Sequence, residues 1–293
     1  MSDQNSHVTF EGDTGWIGLF VGAFLLYLVG TRALGDTLRV GPVLPELEVT
    51  VLEAAVRFIP LAIALWFLRS EGVSLAEIGL ARDQIVPALF SVTGLYLLLN
   101  AVGIGLLLPI AGASAVGYQW TVPPVMALVV FAEALLFAAL VEEVAFRGYL
   151  QSKVIAVLSS TTRFRGAFGV VAASVLFALA HAPRVLTSGV PGTQALATYG
   201  AFLLFSGLSF GLLYEYTQNL YLPILVHAAG NMPGTIGIVF FDTSTLQGGA
   251  LAAYVLLYLV LVVTLVAVYR RVAIGSLERR SWSERTDVER DPV

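Results

Sequence analysis

Long apolar runs separated by short polar stretches recur along the whole chain. Most of these runs have roughly the 17–25 residues that a helix needs to cross the hydrocarbon core of a bilayer. The pattern predicts an all-α, polytopic membrane protein with about eight transmembrane helices. The predicted spans cover approximately residues 15–34, 49–68, 85–110, 122–141, 168–182, 198–216, 221–241 and 250–269.

The two ends of the chain differ from this apolar pattern. Residues 1–14 are polar and acidic, and residues 270–293 are highly charged. We therefore predict a polar N-terminal tail over 1–14, a membrane domain over 15–269 and a charged tail over 270–293. A secretory signal begins with basic residues, which the first fourteen positions lack, so we expect the first span to be retained.

The composition agrees with a membrane protein and narrows its chemistry. Of the 293 residues, 57% are hydrophobic and only 12% are charged, whereas soluble proteins have about 25% charged residues. The chain has no cysteine, which excludes disulfides, thiol nucleophiles and cysteine metal sites. The net charge of −4 indicates no particular partner, and we expect no nucleic-acid ligand.

The distribution of basic residues predicts the orientation in the membrane. Eight spans place both termini on one side, where the loops and the tail contain twelve of the sixteen basic residues. The opposite side has three: Arg32, Arg39 and Arg184. Because basic residues concentrate on the cytoplasmic side of a membrane protein, we expect both termini to be cytoplasmic in an integral protein of the cell membrane.

The end of the fourth span contains the most unusual group of charges, in the sequence VEEVAFRGYL of residues 141–150. Glu143 and Arg147 are one helical turn apart and can pair, while Glu142 points about 100° away. Ionisable residues at the edge of a span are candidates for function because their burial in hydrocarbon is costly. The alternative is a helix end with a snorkelling arginine and charge-paired glutamates.

Two other charged patterns favour structural roles. Glu53 and Arg57 are four residues apart in the second span and can neutralise one another. Ser74 and Glu77 have the spacing of a capping box, which predicts the start of a short interfacial helix. Glu133 lies nine residues before Glu142, about 14 Å along a helix, too far away to join the same site directly.

Only two histidines lie in predicted spans, and each is near a helix end. Phe177 precedes His181 by one turn and can pack against its ring, and Asn231 follows His227 by one turn. A lone histidine in a membrane is most often a hydrogen-bond partner between helices. Together with the glutamate pair, however, these groups can activate a water and stabilise an oxyanion, or they can bind a metal ion.

Three short motifs follow one another in this part of the chain: EEVAFR, FALAH and HAAGN, beginning at Glu142, Phe177 and His227. In this order they resemble the motifs of the CAAX-prenyl-protease and bacteriocin-processing (CPBP, or Abi) family of membrane proteases. Asn219-Leu220 and residues 223–228 match further positions of that family. The resemblance covers about residues 122–235, which we take as the motif-bearing core, and eight helices agree with the family.

The resemblance implies an intramembrane endopeptidase whose cavity opens to the cytoplasm. Glu142 and His181 resemble the pair that activates water in this family, and His227 and Asn231 resemble the residues that stabilise the oxyanion. The implied partners are the lipid bilayer and a membrane-associated peptide or protein substrate, which in this family is often prenylated. The oligomeric state is not predicted.

The resemblance also implies residues that support the catalytic groups, and it does not determine whether a metal ion is bound. Glu143, Arg147 and Phe177 match supporting positions. If a metal such as Zn²⁺ is bound, its ligands are expected to be Glu142, His181 and His227. We favour a glutamate-activated water without metal, because an amide one turn from a histidine suits an oxyanion better than zinc.

Two other classes of protein also place such groups in a membrane. An ion- or proton-coupled transporter uses carboxylates and histidines at mid-membrane, but it typically has repeated halves, and no second EExxxR motif occurs in the chain. A non-catalytic bacteriocin-immunity-type membrane protein is the other alternative. The intact set of motif residues favours the protease.

Overall fold

Every regular element in the described part of the chain is a helix, as the hydrophobic pattern predicts. The computed structural model describes residues 8–11, 13–39, 55–111, 123–159, 162–183, 192–231, 256 and 258–271. The helices are α1 (Gly15–Arg39), α2 (Ile59–Ser70), α3 (Ile85–Ala111), α4 (124–157), α5 (Arg165–Ala180), α6 (Gly192–Thr217), α7 (Tyr221–Gly230) and α8 (258–271).

The helix bounds agree with the predicted spans in order and approximate position, but the count of eight transmembrane helices is not confirmed. Two helical stretches among the described residues are long and apolar enough to cross a membrane, Arg82–Gly105 and Val125–Val157. The second half of the predicted seventh span, the start of the eighth, and residues 272–293 of the predicted tail lie outside the described residues.

The surface of these helices is strongly apolar. Many large aliphatic and aromatic side chains are more than half exposed, among them Leu26, Phe90, Val125 and Leu128. Soluble monomers rarely expose contiguous apolar patches of this kind. The surface therefore agrees with helices that face lipid.

The described helices divide between two compact units. One comprises residues 1–89 and 119–237, and the other comprises residues 90–118 and 238–293. The first unit contains the predicted motifs. Its core is a cluster of aromatic rings in which Phe20 of α1 contacts both Phe67 of α2 and Tyr149 of α4, with ring centroids 5.4 and 4.5 Å apart.

Helix α4 is the central element of the first unit, and its hydrogen bonding is not regular. Residues 134–139 and 144–151 have π-helical hydrogen bonds on either side of Glu142 and Glu143. Such wider turns occur frequently at functional sites because they shift side chains relative to a regular helix. All side chains of the segment Val144–Gln151 are buried, so the predicted motif lies in the core rather than at a snorkelling helix end.

A buried cluster of charged and polar side chains links α4 to the end of α2. Glu71 accepts a 2.6 Å hydrogen bond from the Tyr149 hydroxyl, and its other oxygen pairs with Lys153. The Lys153 ammonium also lies 5.0 Å from the centre of the Phe10 ring. Residues 8–11 of the predicted polar tail therefore pack on the first unit, where Val8 is buried.

Two glycines let α6 approach α5 and α4 closely. A Cβ atom at Gly207 would lie 3.1 Å from the Ser174 backbone of α5, and one at Gly211 would lie 2.9 Å from the Gln151 side chain of α4. The carbonyls of the same glycines accept hydrogen bonds from Arg147 and Gln151, each 3.0 Å long. Because donors and acceptors are both four residues apart, the contact sets the register of the two helices.

The turn before α7 is held by the segment between α2 and α3. Gly79, with φ of 82°, approaches this turn so closely that a Cβ would lie 2.5 Å from the Gln218 carbonyl. Asn219 donates from its side chain to the Gln84 carbonyl and accepts from the backbone N–H of Tyr221. These contacts fix the start of the helix that contains His227.

The structure confirms part of one charged pattern predicted outside the motifs and describes only one residue of the other. Ser74 and Glu77 form the two reciprocal hydrogen bonds of the predicted capping box: the Ser74 N–H donates to the Glu77 carboxylate at 2.8 Å and the Glu77 N–H donates to the Ser74 hydroxyl at 3.4 Å. The Ser74 hydroxyl also donates to the Glu77 carboxylate at 2.6 Å, and the bonds that this carboxylate accepts lower its pKa. The residues after the box form turns, so the predicted short helix is wrong. Glu53 lies outside the described residues, and Arg57 pairs with Glu133, at 2.8 Å.

Candidate active site

Glu142 faces the two histidines that the sequence analysis singled out. Its Oε2 atom lies 3.7 Å from Nε2 of His181, at the end of α5, and 3.8 Å from Nε2 of His227, in α7. The Glu142 side chain is 25% exposed, compared with 23% for His181 and 7% for His227. Three helices thus bring one carboxylate and two imidazoles together at a partly open position.

The carboxylate next in sequence is fully buried and holds the site together. Oε1 of Glu143 pairs with Nη1 of Arg147 at 3.1 Å and with Nδ1 of His227 at 2.7 Å. Arg147 also donates to the Gly207 carbonyl. The predicted pair of Glu143 and Arg147 is present, with both side chains 0% exposed, and it links α4 to both α6 and α7.

Hydrogen bonds on the far side of each imidazole determine which nitrogen faces Glu142. Nδ1 of His181 lies 2.8 Å from the Phe177 carbonyl, which can only accept, so this nitrogen donates. Nδ1 of His227 likewise donates to the Glu143 carboxylate. A neutral histidine has one N–H, so both Nε2 atoms present lone pairs to Glu142.

With both histidines neutral, the three atoms that face one another are therefore all acceptors. At 3.7 and 3.8 Å the contacts are too long for direct hydrogen bonds, and Oε2 of Glu142 is buried with no hydrogen-bond partner among the described residues. Such a set is stabilised by a group that donates to two or three acceptors at once. A water molecule or an added proton meets this requirement.

Aromatic rings form the walls around the histidines. Phe177 contacts the His181 ring at 4.7 Å, as predicted from their one-turn spacing, and packs over the Arg147 guanidinium at 4.7 Å. Phe210 of α6 stacks on His227 at 4.8 Å with an interplanar angle of 19°. Phe210 was not predicted from the sequence, although it lies between Gly207 and Gly211, two residues that allow close helix approach.

Asn231 occupies a different position from the other motif residues. It follows the last residue of α7, its backbone N–H donates to the His227 carbonyl at 2.9 Å, and it is exposed. The structure gives no contact of its side chain with Glu142 or either histidine within the described residues. Its role in stabilising an oxyanion stays a prediction.

The three candidate metal ligands have suitable chemistry for zinc but a wider spacing. Glu142, His181 and His227 have the donor chemistry of a catalytic zinc site, in which tetrahedral ligands 2.0–2.1 Å from the ion are about 3.3 Å apart. Both measured distances to Glu142 exceed that spacing. Among the described residues, no group of three histidine, aspartate or glutamate side chains is placed to hold a metal ion.

One contact beside the site had not been predicted. Phe24 of α1 contacts Phe146 of α4, with ring centroids 5.2 Å apart. Helix α1, which has no motif, therefore packs against the motif-bearing helix.

Comparison with known proteins supports the same part of the chain. Residues 123–233 match the model of the family described as type II CAAX prenyl endopeptidase, Rce1-like. The resemblance to the CPBP family is thereby confirmed over these residues, which include all seven predicted site residues. No curated protein and no solved structure has a significant match to the chain.

Proposed function

From the match of residues 123–233 to the Rce1-like type II CAAX prenyl endopeptidases, we propose that this chain is an intramembrane endopeptidase. It hydrolyses a peptide bond near the C-terminus of a membrane-associated substrate. The observation that supports the proposal best is the convergence of Glu142 with the Nε2 atoms of His181 and His227. The family match does not favour a transporter or an immunity protein.

Glu142 acts as the general base in the proposed reaction. A water between Glu142 and His181 transfers a proton to the carboxylate as its oxygen attacks the scissile carbonyl carbon. The proton is then delivered to the leaving amide nitrogen, which departs as the amine of the released peptide. Positioned acid–base catalysis of this kind contributes about 10²–10⁴-fold to a rate.

His227 and Asn231 stabilise the oxyanion in the proposed mechanism. His227 can donate from Nε2 only when both ring nitrogens are protonated, and its Nδ1 already donates to the Glu143 carboxylate. Arg147 balances the charge of Glu143 and fixes its orientation. The supporting pair thus fixes the orientation of the imidazole that faces the oxyanion.

The reaction as proposed uses no metal ion. The test is hydrolysis by purified protein in excess strong chelator, together with its zinc content. Activity is expected to persist, with less than one zinc per chain. One tightly bound zinc per chain, with activity lost on its removal and restored on its return, would replace this mechanism with a metalloprotease.

The experiment that tests the function itself compares membrane fractions. Cells with the native chain and cells with a Glu142→Ala copy at equal level should differ in the C-terminal peptides of a small set of membrane-associated proteins. The same products should form when purified protein acts on those substrates in vesicles. Identical C-termini in the two fractions would contradict a protease.

The proposed orientation has both termini in the cytoplasm, on the basis of the twelve basic residues on that side. Reporter fusions after Arg165 and after Val293 should both indicate the cytoplasm, and a fusion near Gly192 the opposite side. Opposite results for the two cytoplasmic fusions would exclude the eight-span topology.

A further inference from the structure

An ion pair lies on the apolar surface of the first unit, away from the motifs. Arg57 precedes α2 by two residues, and Glu133 ends the first segment of α4. Their side chains meet at 2.8 Å and remain 50% and 55% exposed. Around them, Phe58, Val129 and Leu136 are exposed apolar side chains.

An ion pair exposed on such an apolar surface has a cost in free energy. Glu133 lies within the stretch Val125–Val157, which is long and apolar enough to cross a membrane. Charged side chains at that depth are rare, and they typically mark a pathway or a ligand site. A purely structural ion pair would be expected to be buried between its helices, as Glu71 and Lys153 are.

The pair is connected to the candidate active site along α4. Phe58, next to Arg57, is in ring contact at 4.7 Å with Phe137, which lies between Glu133 and Glu142 in α4. Helix α4 therefore contains both the carboxylate that contacts Arg57 and the candidate general base.

The spacing along α4 suits a short peptide. Nine residues separate Glu133 from Glu142, about 14 Å at the rise of a regular helix, and somewhat less where the turn is wider. An extended peptide advances by about 3.3–3.6 Å per residue. A substrate cut beside Glu142 would thus bring a group three or four residues further along its chain to the level of Arg57.

Arg57 already has the geometry of a carboxylate receptor. It contacts the Glu133 carboxylate of the same chain, through Nη1 alone. A guanidinium presents five N–H donors in a planar fork that matches carboxylates. The other donors of Arg57 make no hydrogen bond with the described residues.

We propose that Arg57 binds the C-terminal carboxylate of the substrate and thereby sets how many residues follow the cleaved bond. Glu133 is the internal carboxylate that neutralises Arg57 until the substrate arrives. The inference rests on the proposed endopeptidase function, because it names the end of the substrate that this site would recognise. Arg57 is then a specificity-determining residue that contacts substrate without taking part in the proton transfers.

The test compares two otherwise identical peptides in detergent-solubilised full-length protein. Both contain a farnesylated cysteine fourth from the end, and one ends in a free carboxylate while the other ends in an amide. Binding is measured on the Glu142→Gln variant and hydrolysis on the native chain. The native site should prefer the free acid by about 10–100-fold, the size expected for a charge-assisted contact.

Arg57→Gln should weaken binding and hydrolysis of the free acid by that factor and leave the amide unchanged, which abolishes the preference. Arg57→Lys should restore part of it. Arg69→Gln, the same change at the other end of α2, should keep the preference in full. An equal fall for both peptides would mean that the ion pair is only structural and would overturn the proposal.

Glu133→Gln provides a second test that keeps Arg57 in place. Removing the competing carboxylate should tighten binding of the free acid and not of the amide, whereas a purely structural pair predicts no change in preference. Carboxylate-dependent binding without hydrolysis would contradict the proposed function and leave this inference intact. Equal binding of acid and amide by the native site would contradict the inference alone.

Discussion

Helix α4 contributes to two carboxylate clusters that differ in how their polar atoms are paired. In the first, one oxygen of Glu71 accepts a hydrogen bond from the Tyr149 hydroxyl, and the other pairs with Lys153. In the second, Oε2 of Glu142 lies 3.7 and 3.8 Å from the Nε2 atoms of His181 and His227 and has no hydrogen-bond partner among the described residues. The first cluster is fully buried, and the second is partly open.

The difference favours a structural role for the Glu71 cluster and supports the proposed chemical role of the Glu142 cluster. Buried polar groups normally have hydrogen-bond partners because an unpaired group costs free energy. The Glu71 cluster follows that rule on both oxygens. Around the second cluster, Oε2 of Glu142, Oε2 of Glu143 and Nε of Arg147 have no partner among the described residues, which is expected where a water or substrate completes the set.

Replacing Glu142 or Glu71 by glutamine is expected to give the largest difference between the two clusters. Glu142→Gln should lower kcat by about 10²–10⁴ and leave the unfolding midpoint unchanged or higher, because the amide adds a donor to a set of acceptors. Glu71→Gln should lower the midpoint and keep the turnover of each folded molecule. Hydrolysis assays and thermal unfolding of the two variants in the same detergent measure this, and retained activity in Glu142→Gln would exclude it as the base.

Arg147→Ala is expected to affect both stability and activity, since Arg147 belongs to the site and is fully buried. The substitution leaves the Glu143 carboxylate without its cation, a loss of about 3–5 kcal/mol in the free energy of unfolding. It also removes the contact that positions His227 through Glu143. Folded yield in detergent and activity per folded molecule should both fall, and a normal unfolding temperature would indicate that the pair is hydrated.

Lys153→Met is the corresponding change in the other cluster. It leaves Glu71 buried without its cation and should cost about 3–5 kcal/mol, with no loss of kcat in the molecules that remain folded. The double variant Lys153→Met with Glu71→Gln should recover much of that stability, because no unpaired charge remains. If kcat falls as steeply as stability, the two clusters are not separate.

Asn231→Ala is expected to act on the reaction alone. Removal of one oxyanion donor typically lowers kcat by about 10²–10³, with little change in substrate binding. Asn231 is exposed at the end of α7, so the unfolding temperature should not change. Equal values of kcat in the variant and the native protein would assign the oxyanion to His227 without Asn231.

The smallest effect on stability is expected at Glu77, an exposed carboxylate that serves as a contrast to the two clusters of α4. The Ser74 side chain and backbone N–H hold its pKa below the ordinary value, so its contribution to stability is present above the unfolded pKa of about 4.3. That contribution is lost as pH falls through the folded pKa. In Ser74→Ala the pKa of Glu77, measured by NMR titration, should return towards 4.3, and an unchanged pKa would assign the shift to the backbone.

Much of the candidate site could be predicted from the sequence because its signals are local. The one-turn spacings of Glu143 with Arg147 and of Phe177 with His181 correctly predicted contacts on single helices. The pair of Glu53 and Arg57 was predicted by the same reasoning, and it stays a prediction because Glu53 lies outside the described residues. Arg57 contacts Glu133, which is 76 positions away. Spacing on one helix identifies local partners and does not identify those that tertiary packing brings from elsewhere in the chain.

By itself, the sequence determined the helical class, the order and approximate bounds of the helices and the residue types of the site, since each depends on a periodicity or a short motif. Only the tertiary structure decided that Glu143 would pair with His227 as well as Arg147, and that Glu142 would lie between two Nε2 atoms. These arrangements depend on the glycines that let α6 approach α4 and on the wider turns in α4. The physical reason is that hydrogen bonds between helices depend on their relative register and rotation, which close packing sets and no local pattern records.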